Sequence, residues 1–99
     1  MATSAQYSRG VRLTSSGYVI SQNRPVKVCA ITALALTVDT IVKLRDGGAA
    51  GAIMWEFEAD NGASSPPFSF DPPLRFYHDC YVEISGDANS TVSLTVAEP

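Results

Sequence analysis

The chain has 99 residues, of which 45% are hydrophobic and 17% charged, and its net charge is −3. That length suits one domain, which buries roughly 65% of the surface its unfolded chain exposes, and leaves no room for a core plus a deep substrate cleft. Seven scattered basic residues form no stripe able to neutralise a run of phosphates, so nucleic acid is excluded as a partner.

Residues 1–10, "MATSAQYSRG", are small and polar apart from Tyr7 and Arg9. They read as a flexible arm ahead of a domain over 11–99, and they lack the apolar centre of a signal peptide. "VRL" (11–13) and "GYVI" (17–20) are expected to pair as a hairpin around Ser15-Ser16. "VKVCAITALA" (26–35) is apolar on both faces, which predicts a central strand or one pressed against another subunit. A helix from Ala30 to about Val38 is the rival reading. The longest apolar stretch, Val28 to Leu36, is far too short to span a bilayer, so no membrane partner is expected.

Two segments alternate clearly. In "TIVKLRD" (40–46), Thr40, Val42 and Leu44 point inward. In "IMWEFEA" (53–59), Ile53, Trp55, Phe57 and Ala59 share one face. The small-residue loop 47–52 makes these a hairpin, with Leu44 opposite Trp55, Val42 opposite Phe57, and Lys43 opposite Glu56 on the outside. In the C-terminal part, Cys80, Val82 and Ile84 alternate with Tyr81, Glu83 and Ser85, and Val92, Leu94 and Val96 alternate with Thr91, Ser93 and Thr95. A second hairpin is expected, pairing Ile84 with Val92, Val82 with Leu94 and Cys80 with Val96. Between the two hairpins, "FSF" and "LRF" are bracketed by proline pairs and read as short edge or bent segments. Seven or eight short strands make an all-β chain: a single-domain antiparallel β-sandwich, jelly-roll-like.

"YHDCY" (77–81) places the only histidine beside an aspartate and one of two cysteines. His78 and Cys80 would share a face of an extended chain about 7 Å apart, a poor fit to a nucleophile–base pair. Zinc would need further ligands, with Cys29 the only other soft one. The segment therefore reads as a turn leading into a strand, and Cys29 and Cys80 as reduced and buried, with a disulfide open if their strands are neighbours. "DGGAAG" (46–51) lacks the ending of a phosphate-binding loop. Trp55 is expected in the core, and Glu56 and Glu58 on a solvated face. Asp46, Asp60 and Asp87 read as turn residues rather than calcium ligands, and Asn89-Ser90-Thr91 as a coincidental glycosylation pattern. No catalytic, cofactor or metal set is expected. Tyr77 and Tyr81 are the candidates for exposed aromatic contacts.

Three motifs carry a family resemblance: Leu44-Asp46-Gly47 in "L-x-D-G", Pro73-Leu74-Phe76 in "P-L-x-F", and Tyr81-Val82-Ile84-Gly86 in "Y-V-x-I-S-G". Their order, over about seventy residues, resembles the small β-sandwich structural modules of tailed bacteriophages. Cys80 stands where many such modules have glycine. The resemblance implies a non-enzymatic virion protein, made in the host cytoplasm and located at the capsid surface. Capsid decoration or cement is the most specific role implied, with the major capsid protein or another virion protein as partner. A homo-oligomer, preferentially a trimer, fits that role. Partner or subunit contacts are then expected from Tyr7, Arg9, Cys29, Ile31, Leu34, Tyr77 and Tyr81. The alternative is a receptor- or carbohydrate-binding module of a tail or fibre.

Overall fold

The fold is described from a computed structural model, covering residues 8–35, 38–86 and 90–97. Eight strands are present: β1 (Ser8–Leu13), β2 (Gly17–Tyr18), β3 (Val26–Leu34), β4 (Thr40–Asp46), β5 (Ala52–Ala59), β6 (Phe68–Phe76), β7 (Cys80–Ser85) and β8 (Thr91–Ala97). They form two four-stranded antiparallel sheets, ordered β1-β8-β3-β6 and β2-β7-β4-β5. This is an antiparallel β-sandwich with the strand order of a jelly roll. Only β4 and β5 are neighbours both in sequence and in a sheet; each other connection crosses from one sheet to the other.

The β4–β5 hairpin has the expected register: Leu44 faces Trp55, Val42 faces Phe57 and Lys43 faces Glu56. One detail differs. The register shifts where Arg45 pairs with Ile53, leaving Met54 as an extra residue. A bulge of this kind reverses the alternation, so Ile53 is 46% exposed instead of sharing the inward face of Phe57.

The C-terminal hairpin does not form. β7 lies between β2 and β4, whereas β8 lies between β1 and β3 in the other sheet. The faces were nevertheless legible, since Cys80, Val82, Val92, Leu94 and Val96 are all buried. They meet across the sandwich instead of along a ladder. The N-terminal hairpin fails for the same reason: β1 pairs with β8, and β2 with β7. The crossing between β1 and β2 is held by Ser16, whose hydroxyl accepts the Ile84 N–H at 2.8 Å and donates to its carbonyl at 3.3 Å. β1 also starts earlier than expected, with Ser8, Arg9 and Gly10 paired to Ala97, Val96 and Thr95. Residues 1–7 of the expected arm lie outside the described residues.

β3 is an interior strand, and the rival helix is not formed over Ala30–Leu34. The register shifts between Val28 and Ala30 on both neighbours, so Cys29 is the bulged residue. Val28, Ile31 and Ala33 consequently face the core. β6 joins the two short segments into one edge strand, and its pairing with β3 passes from Leu74, opposite Val28, to Ser69, opposite Ala30, skipping the residues around the prolines. Trp55 is half-buried, edge-on to Phe68 and Phe70 at 5.7 and 5.0 Å. These rings close the sandwich between the two edge strands β5 and β6, an arrangement favoured by the ring quadrupoles.

Candidate functional site

The segment that most resembles a reactive site is part of a backbone clamp. Asp79 is 2% exposed. Its carboxylate accepts the N–H groups of Gly48 at 2.9 Å, Gly47 at 3.3 Å and Asn23 at 3.0 Å. Asn23 adopts a φ of 60°, a left-handed conformation that asparagine tolerates. Asp46 reciprocates. It accepts the N–H groups of Tyr77 at 3.0 Å, His78 at 2.9 Å and Asp79 at 3.3 Å. Each aspartate thus organises the backbone that carries the other, and the loop after β4 is tied to the turn before β7. The glycines are required on one side of the clamp. Gly48 has a φ of +84°, and a Cβ there would press on the Tyr18 hydroxyl.

Electrostatics follow from this wiring. Burial pushes the Asp46 carboxyl up, but the N–H donors of Tyr77, His78 and Asp79 and the charge of His78 outweigh it. Its net position is below the ordinary 3.8. Burial pushes the Cys80 thiol well above its ordinary value, and the carboxylates of Asp79 and Asp46 push the same way. A thiol so disfavoured as thiolate is poorly suited to nucleophilic attack or metal ligation at neutral pH. Cys29 and Cys80 are both free thiols, Cys29 half-buried and Cys80 buried. In the sequence His78 and Cys80 stand out, while Asp79 reads only as part of the turn before the strand. The available signal was an acid beside a strand start, together with a glycine loop whose N–H groups needed acceptors.

The outer faces of the two sheets differ. On the β4 sheet, Lys43, Arg45, Glu56, Glu58 and Glu83 point outward, and Arg45 Nε bonds the Glu83 carboxylate at 2.8 Å. On the β3 sheet, the middle rows are small and uncharged: Gly10, Thr95 and Ala30 in one, Ser93 and Thr32 in the next, with Arg12 at the edge. They form a shallow trough of about 350 Å³, walled by Pro67.

The candidate contact residues are dispersed over these surfaces. Arg9 is exposed on β1, while Cys29 and Leu34 are half-buried on β3. Ile31 is corrected to a core residue, 2% exposed, because the Cys29 bulge turns it inward. Tyr77 is 65% exposed, with the Arg75 guanidinium 5.6 Å from its ring centroid. Tyr81 is half-buried, edge-on to Tyr18 at 5.1 Å. Tyr7, Asp87 and Asn89 lie outside the described residues. Among the described residues, Asp39, Glu58 and Asp60 bring carboxylate oxygens within 4.8 Å of one another, all exposed. Asp39 already accepts the Asn61 N–H at 2.7 Å. Glu56 and Glu58 point outward as expected. No helix among the described residues is long and apolar enough to cross a membrane. Comparison with protein-family models, curated proteins and solved structures gave no match.

Proposed function

We propose that this chain is a non-enzymatic structural protein of a tailed-phage virion, acting as a capsid decoration or cement protein through contacts with the major capsid protein and with its own copies. One observation carries the reading. Two of the motifs on which the phage resemblance rests are joined in the fold, since Asp46 of "L-x-D-G" holds the turn that follows "P-L-x-F". Viral capsid domains use this architecture. Fold alone does not assign function, but two further features fit a protein that works by contact. The carboxylates of "YHDCY" and "DGG" are committed to backbone N–H groups, and the middle rows of the outer face of the β3 sheet are small and uncharged. Burial of such a face across subunits supplies the binding energy, multiplied by symmetric repetition.

The test uses heads of a phage that encodes this chain, prepared without it. Added protein should bind at symmetric capsid positions, seen by cryo-electron microscopy, and raise the temperature at which heads rupture. Light scattering should give about three times the 10.5 kDa chain mass. Heads that gain neither density nor stability would sink the proposal.

A second reading has one observation in its favour. The exposed Tyr77 ring, backed by Arg75 beside Pro25, offers a stacking surface for a sugar ring. A glycan array would decide it: retention abolished by Tyr77→Ala supports a receptor- or carbohydrate-binding module of a tail or fibre, and no retention removes it.

A further inference from the structure

Among the described residues, the two sheets present four edge strands, unequally guarded against pairing. β2 has two residues. β6 contains Pro72 and Pro73, which lack an N–H, and its register is broken. β1 has six residues, with Gly10 mid-strand and Arg9 and Arg12 exposed along it. β5 runs for eight residues without proline or glycine, and one side of it carries no partner strand. It also exposes Ile53 by 46% and Met54 by 37%, large apolar groups at the start of an open edge.

We propose that the outer edge of β5 accepts an extended segment of a partner protein by strand addition, and that this segment alternates Lys or Arg with apolar residues. The open edge offers backbone N–H and C=O groups to any strand, while side-chain alternation selects which strand. Along β5 the outward positions are Glu56 and Glu58, both exposed, and the inward positions are Trp55 and Phe57. An added strand places its outward side chains about 5 Å from the two glutamates. Lys or Arg is attracted there and Asp or Glu repelled. Its inward side chains extend the apolar layer of Trp55 and Phe57.

A second copy fits this edge poorly. Two-fold pairing of β5 with itself, centred on Glu56 or Phe57, sets glutamate against glutamate. Centring on Trp55 runs the ladder through the bulge at Met54. The inference deepens the structural role by naming the chemistry of its partner, and it rests on that role only for the partner's origin. Peptide binding without head binding would keep the edge and remove the role; head binding with an inert edge would do the reverse.

The experiment titrates the full chain with two synthetic peptides, acetyl-Thr-Lys-Val-Lys-Val-Lys-Thr-amide and its counterpart with Glu in place of Lys. Trp55 fluorescence follows binding, and amide hydrogen exchange locates it. The basic peptide should slow exchange across residues 52–59 and bind at least about tenfold more tightly than the acidic one. The double variant Glu56→Lys, Glu58→Lys should invert that order. Unchanged β5 exchange at millimolar peptide, equal binding of both peptides, or protection of another strand would each overturn the proposal. So would concentration-dependent protection of β5 without peptide, which would identify a second copy as the occupant. The wild-type titration decides the matter even if the variant misfolds.

Discussion

β4 has a carboxylate group at each end, and the two ends use negative charge in opposite ways. At its C-terminal end, Asp46 and the buried Asp79 accept six backbone N–H bonds and join two loops. At its N-terminal end, Asp39, Glu58 and Asp60 crowd together in solvent, where Asp39 accepts the Asn61 N–H. Ionised acids stabilise a fold when the chain directs donors at them, and do little when water is their main partner. Proximity of acids alone is therefore a poor guide to importance.

The largest break in that contrast is Asp79→Ala, which leaves three N–H groups without their acceptor. A loss of roughly 3 kcal/mol is expected, seen as a fall in melting temperature of at least about 10 °C in a domain of this size. Asp46→Asn comes next, costing about 1–2 kcal/mol because the site is less buried and one oxygen remains.

The same residue sharpens the comparison through pH. The folded Asp46 carboxyl sits below its ordinary 3.8, so its contribution is complete above that pH and disappears as pH falls through the folded value. Urea midpoints measured from pH 5 to pH 2 should decline, and Asp46→Asn should flatten part of that decline. An identical slope in the variant would mean that other groups carry the acid sensitivity.

A smaller effect concerns Cys80. Buried beside two carboxylates, it should stay unmodified by a disulfide reagent at pH 8 until denaturant is added, while the fold is otherwise unaffected. Smallest is Glu58→Gln at the exposed cluster, which should change stability by less than about 0.5 kcal/mol. A loss comparable to that of Asp46→Asn would mean that the cluster has a structural partner after all.

Much of the fold was legible in the alternation of small segments. The β4–β5 register follows from Leu44, Val42 and Lys43 finding matched partners across a short loop. The same logic applied to β7 and β8 named the right core residues and the wrong neighbours. Alternation records which side of a strand is apolar, and that side faces the core whether the next strand lies beside it or in the opposite sheet. A short loop after Ser85 serves either path. Bulges at Cys29 and Met54 were equally hidden, because one inserted residue leaves composition unchanged while turning Ile31 in and Ile53 out. The clamp escaped notice because its partners lie 31 to 56 residues apart.

The sequence by itself determined an all-β chain, most of its strands, and the buried faces of β4, β5, β7 and β8 apart from Ile53, because hydrophobic burial is read one residue at a time. Only the tertiary structure decided which strands pair, which residues the bulges displace, and that Asp46 and Asp79 bind backbone instead of chemistry. Those outcomes depend on hydrogen bonds between segments distant in the chain, whose donors are backbone groups common to every residue and so leave little mark on the sequence.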